Sequence, residues 1–264
     1  MLAIVSPVAY GLGCLLGVSL CAALCVSSRR HPGAPAFWSA RLLGVVLLAD
    51  AVSYVLALVV NGTFYARTDL PLALCDAAVL VAAAACWWRI PVLVELTYFW
   101  GLAGTLQAVI TPDLGVGFPR LGFFQYLVGH LGIVTGALVL VVGLRIEPRA
   151  RAIPRVFLVS AGYTAAVGLV DYLTGADYMF LRMPPSNWTL LRLLGPWPWY
   201  VASAAAVALV LFTLLDMPFW RRRRRGVPSS DDRSDRDARP PRPRAGALRY
   251  VRLAAAGRAP GSRR

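Results

Sequence analysis

Apolar residues fill the first 220 positions in seven long blocks, broken by short stretches rich in Pro, Gly, Asp and Arg. The blocks cover about 5 to 27, 38 to 60, 71 to 88, 91 to 111, 120 to 144, 152 to 174 and 197 to 219, each close to the roughly 20 residues that a membrane-crossing helix needs. Little more than "WRIP" separates the third block from the fourth, which predicts a tight turn between antiparallel helices. The pattern is that of an all-α, polytopic membrane protein, a bundle of seven transmembrane helices over residues 1–220. Residues 221–264 read as a disordered tail, because the composition from Gly226 onward is Pro, Arg, Asp, Ser and Ala with no apolar period and too little to bury.

Composition supports this reading. The 264 residues are 58% hydrophobic, with mean hydropathy +0.62, far above an ordinary soluble domain. A net charge of +14 suggests a nucleic-acid partner until the charges are located. The tail holds 15 Arg and four Asp, a balance of +11, which leaves only +3 for the bundle. The partners expected are membrane lipids, not nucleic acid; the tail is expected to fix the topology, and a second reading has it drawn to anionic headgroups by roughly 1 kcal/mol per basic residue. Nothing in the sequence sets an oligomeric state.

All 27 basic residues are Arg, so a lysine Schiff base, and with it a retinal protein, is excluded. The five Cys lie in apolar blocks and are odd in number, which points to buried thiols, not disulfides. Cys14, Cys21 and Cys25 share a helical stripe but have no His or carboxylate beside them for a metal. No Walker loop, dinucleotide-binding glycine motif or zincin motif occurs, so no cofactor is expected.

The distribution of Arg orients the bundle. Arg29, Arg30, Arg41, Arg89, Arg145, Arg149, Arg151, Arg155 and Arg221 to Arg225 fall on one set of connections. The other set has Arg67, Arg120, Arg182 and Arg192, diluted by Asp69, Asp113 and Asp177. The N-terminus is expected outside and the C-terminus in the cytoplasm, in the cell membrane. The first block lacks a basic n-region and reads as a retained span.

Ionisable groups inside a span cost roughly 2.5 to 3.5 kcal/mol on insertion scales, so they turn to the bundle interior and find partners. The candidates are Asp50, Asp76, Glu95, His130 and Asp171, with Cys75, Gln107, Gln125 and Tyr126 beside them. At 1.5 Å per residue, Cys75 and Asp76 fall about 6 to 8 Å below the outer end of helix three, Gln107 about 6 Å below that side and His130 about 15 Å deep. Asp171 lies a turn below the outer end of helix six, and Asp50 near mid-membrane. A polar cluster in the outer half follows, while Glu95 lies near the inner end, within reach of the Arg there. Gly129, Gly132 and Gly136 form a small-residue stripe, as do Gly101 and Gly104 with Gln107, so helices four and five are expected to meet on these faces.

The stretches "LPLALCD" (70–76), "LTYFWGLAGTLQAVITPDL" (96–114), "FFQYLVGHLGIV" (123–134) and "DYMFLRMPPSNWTLLRLLGPWPWY" (177–200) together resemble the YwaF-like bacterial integral membrane proteins. Those are described as seven-helix proteins of unassigned function. They are in turn similar to eukaryotic transmembrane protein 164, described as a cysteine-dependent phospholipid acyltransferase. The resemblance implies a functional Cys at Cys75, a His at His130, and an aromatic "GPW" opening of the last helix at Gly195 to Trp197. One position departs: the bacterial pattern has His two residues before the Cys, and Ala73 stands there.

The pair also makes chemical sense unaided. A neighbouring base turns a thiol into a nucleophile, and His is the commonest such base. A thioester at Cys75 would then pass its acyl group to a lipid hydroxyl, with Gln107 or Gln125 donating to the oxyanion. The depths leave the two residues about 7 to 9 Å apart along the membrane normal. Three function classes follow: an acyl-transferring or acyl-hydrolysing enzyme acting on an acyl lipid, a transporter or ligand-binding bundle, and a non-catalytic assembly protein.

Overall fold

The computed structural model describes residues 6–112, 114–183 and 194–225. Among these residues the protein forms seven helices and no strand. They are α1 Pro7–Arg30, α2 Ala34–Val60, α3 Leu74–Trp88, α4 Pro91–Ile110, α5 Leu121–Gly143, α6 Ala152–Thr174 and α7 Trp199–Arg224. All except α3 are long and apolar enough to cross a membrane. Helix α3, at 15 residues, is shorter than the roughly 20 that a full crossing needs.

Local chemistry sets several of the helix ends. Ser6 caps α1 by accepting from the Ala9 N–H at 3.3 Å, with Pro7 in the first turn. Pro35 and Pro91 open α2 and α4 in the same way, since proline's missing N–H costs nothing there. The expected hairpin turn is present: α3 ends on Arg89 in the left-handed conformation, φ 55°, and α4 starts two residues later. The last helix continues through Arg224, so the first arginines of the expected tail are helical. Arg favours a helix C-terminus, and Arg222 and Arg223 pair with Glu147 and Asp216. The remainder of that tail lies outside the described residues, as do Asp113 and residues 184–193.

Helix α3 is the hub. Ala78, Val79, Ala82, Ala83, Ala85 and Cys86 are buried along it, and small side chains let α2, α4 and α5 approach closely. Gly44 of α2 fits against the Ala83 carbonyl, where an added Cβ would stand only 2.9 Å away. By contrast α1 exposes Leu12, Leu15, Leu16 and Leu20, an apolar surface that suits lipid and not water.

The glycine stripes differ from expectation in one respect. Helices α4 and α5 do meet, with Gly101 against Ile133 and Ala137. Gly129, Gly132 and Gly136, however, face α2 and α3: Gly129 meets Asp50 and Val79, Gly132 meets Leu47, and Gly136 meets Cys86 and Ala82. Two helices break the α period. Residues Trp100–Thr105 in α4 and Val139–Gly143 in α5 are π-helical, a local widening often found at functional sites.

Candidate active site

The segment entering α3 is fixed from a distance. Tyr178, in the 3-10 turn after α6, donates to the Ala66 carbonyl at 3.0 Å and accepts from the Leu70 N–H at 3.0 Å. Tyr163 of α6 donates to the Leu72 carbonyl at 2.9 Å. These bonds hold Leu70 and Leu72 against a small core of Val167, Ala176 and Tyr178, so the first turn of α3 has a fixed position. Cys75 and Asp76 are the second and third residues of that turn. Asp76 accepts from the N–H of Ala73, the residue capping the helix, as the acidic member of a capping box does. The Thr105 hydroxyl, at the end of the π-helical stretch, lies within hydrogen-bonding reach of the Cys75 thiol.

Cys75 and Asp76 form one wall of a cavity of about 600 Å3, and His130, Gln125, Tyr126 and Gly129 of α5 form another. Asp50 and Tyr54 of α2 close the third side, and the rest is mainly apolar, including Val55, Leu58, Val116 and Leu121. Such a volume and lining are typical of small-molecule sites. Val79 packs beside Gly129, which sets Cys75 one turn, about 6 Å, above that level and His130 about 1.5 Å below it, so the backbone offset along the helices stays within the expected range. The imidazole leans toward the Cys75 end: its ring stacks on that of Tyr126, one turn earlier, at 4.0 Å between centroids and 23° between planes.

His130 is held in one useful tautomer. Its Nδ1 lies 2.8 Å from the Tyr126 carbonyl oxygen, which only accepts, so Nδ1 carries the hydrogen in the neutral ring. Nε2 then keeps its lone pair and is the basic nitrogen. Tyr126 is itself anchored, its hydroxyl donating to the Ala108 carbonyl at 2.7 Å.

Six of the eight residues expected in the polar cluster therefore share this cavity: Cys75, His130, Asp50, Asp76, Gln125 and Tyr126. The other two do not line it. Gln107 is exposed on α4, and Asp171 is fully buried at the end of α6. Asp171 accepts there from the Tyr178 N–H at 2.9 Å and organises the turn that positions α3. Gln125 is committed to Ser53, to whose hydroxyl its amide donates at 2.9 Å. No hydrogen bond or ion pair holds the Asp50 carboxyl among the described residues, and it packs against Gly129. Thr105 was not singled out in the sequence, although its place directly after Gly101 and Gly104 on the helix-contact face was a signal. Glu95, expected to find an inner Arg, is clamped by Arg149 and Arg155.

No curated protein and no solved structure matches the chain. One family model does match, over residues 4–216, a stretch that includes the whole cavity. The chain belongs to the TMEM164 family.

Proposed function

We propose that the protein is a membrane enzyme that transfers or hydrolyses lipid acyl groups, with Cys75 as nucleophile and His130 as its base. The observation that carries this reading is that both residues line one cavity, with the Nε2 lone pair of His130 left free by the bond at Nδ1. In the first half-reaction Nε2 takes the thiol proton, and the Cys75 sulfur attacks the ester carbonyl carbon of an acyl lipid. The carbon–oxygen bond then breaks, His130 returns the proton to the departing lipid oxygen, and an acyl thioester remains on Cys75. In the second half a lipid hydroxyl, or water, gives its proton to His130 and attacks the thioester. The acylated product leaves and the thiol is restored.

The oxyanion formed in each half needs donors. Gln125 has one amide hydrogen committed to Ser53, which holds the group in place and leaves the second to donate. The N–H groups of Cys75 and Asp76 also suit it: they belong to the first turn of α3, where N–H groups have no intrahelical acceptor and the helix dipole favours negative charge. The apolar half of the cavity, including Val55 and Leu58, suits an acyl chain. The Arg distribution supports an outside N-terminus and a cytoplasmic C-terminus in the cell membrane, which requires short α3 to complete a seventh crossing. The cavity then lies in the outer half.

The test is acyl transfer by the purified full chain from a phospholipid with a labelled acyl chain to a lysophospholipid or to water. Cys75→Ser should abolish transfer, and His130→Gln should lower it by about 10² to 10⁴. Wild-type rates from both variants would end the proposal.

A further inference from the structure

At the opposite end of the bundle, where the arginines collect, a smaller cavity of about 240 Å3 lies between the end of α1, the start of α2 and the end of α5. We propose that it binds the phosphate group of an anionic membrane lipid. This inference is independent of the chemistry at Cys75. The cavity is lined by Ser28, Arg29, Gly33, Phe37, Leu144 and Arg145.

Ser28 supplies the first observation. It is 3% exposed, yet its hydroxyl has no partner among the described residues, and buried hydroxyls are normally satisfied. The second is Arg29, whose Nε donates to the Val142 carbonyl at 2.9 Å. That bond anchors the guanidinium and leaves its terminal nitrogens for another acceptor. Arg145 supplies the third: it follows the end of α5 in the left-handed conformation usual after a helix, φ 59°, and lines the cavity there.

Two neighbouring cations, Arg41 and Arg89, have no anion paired with them among the described residues. The Arg89 guanidinium stacks 4.5 Å from the Phe37 ring, the same ring that forms a wall of the cavity. Arg41, stacked on Trp38 and Trp87, is close enough to Arg89 to repel it. The Arg41 Nε and the Arg89 Nη1 are buried without a hydrogen-bond partner among the described residues. The carboxylates paired at this end are taken by other arginines: Glu95 by Arg149 and Arg155, Glu147 by Arg222, and Asp216 by Arg223.

Guanidinium forks with a hydroxyl beside them match the oxygens of a phosphate. The surroundings favour a phosphate carried by a lipid over the free ion. Trp38, next in sequence to the lining residue Phe37, is 63% exposed, an aromatic of the kind found at headgroup depth. The outward leucines of α1 offer a track for the attached chains.

The experiment uses the full chain, stripped of lipid in detergent and then given phosphatidylglycerol, phosphatidylcholine or inorganic phosphate. Lipid retention is read by native mass spectrometry and stability by thermal unfolding. Phosphatidylglycerol should be retained and should raise the unfolding temperature, while phosphatidylcholine and inorganic phosphate do neither. Arg29→Gln with Arg145→Asn should weaken retention about tenfold, Ser28→Ala less. Arg224→Gln, which removes an exposed cation at the same end, should change nothing. Equal retention of the two lipids would overturn the proposal. So would a full effect from inorganic phosphate, or a loss in Arg224→Gln equal to that in the double variant. Should the double variant fail to fold, the three ligands compared on the wild type still decide the matter.

Discussion

Charged groups are treated in opposite ways at two levels of the bundle. At the arginine-rich end Glu95, 1% exposed, accepts five hydrogen bonds from Arg149 and Arg155, at 2.9 to 3.2 Å. Every lone pair there has a cation or an N–H, and the cluster ties α4 to the α5–α6 connection and to α6. In the cavity on the other side, among the described residues, Asp50 has no ion pair, and His130 spends one nitrogen on a backbone carbonyl and keeps the other free. A buried charge that is fully paired reads as structural. Unpaired titratable groups facing a shared cavity read as chemistry, because membrane burial is expensive and nothing in the fold requires it.

Four substitutions would break or sharpen this contrast. The largest effect on stability is expected from Glu95→Gln, which removes the carboxylate from two guanidiniums. Those side chains are 48% and 35% exposed and partly rehydrate, so the cost should lie near the low end for a broken buried pair, about 3 kcal/mol, measured by denaturant titration in mixed micelles. Gly44→Val should follow at about 1 to 3 kcal/mol, because its Cβ would press on the Ala83 carbonyl, which has no rotamer with which to retreat. The same titration applies, and a neutral result would mean that α2 and α3 are not held as closely as described. Asp76→Ala should lose the bond to the Ala73 N–H, about 0.5 to 1 kcal/mol, and reduce transfer only through the position of Cys75. Gln107→Ala, exposed and outside the cavity, should stay within about 0.5 kcal/mol and keep full transfer. A large loss there would return Gln107 to the site.

Six of the seven spans, as apolar helices of crossing length, and most of the polar cluster were legible because length, hydropathy and the 1.5 Å rise are local properties. The failures have local causes as well. The entry to α3 was expected at Pro71, but the helix begins at Leu74. The reason lies in hydrogen bonds from Tyr163 and Tyr178, about a hundred positions away, that hold the preceding residues out of the helix. Gln107 was placed by carrying the α period through α4. The π-helical stretch from Trp100 to Thr105 rotates every later residue off that period and turns Gln107 outward. The glycines of α5 were correctly seen as a contact face. A stripe of small residues says that a helix approaches but not which one, and the approaching helices are α2 and α3.

The central claim is that His130 serves Cys75. It is tested most directly by the rate at which a small neutral thiol reagent alkylates Cys75 across pH, in a chain whose other four cysteines are replaced by Ala. With His130 present, alkylation should remain fast down to neutral pH. In His130→Gln it should slow by about 10² near neutrality and follow the pH dependence of an unassisted thiol. Identical rates and profiles with and without His130 would contradict the account.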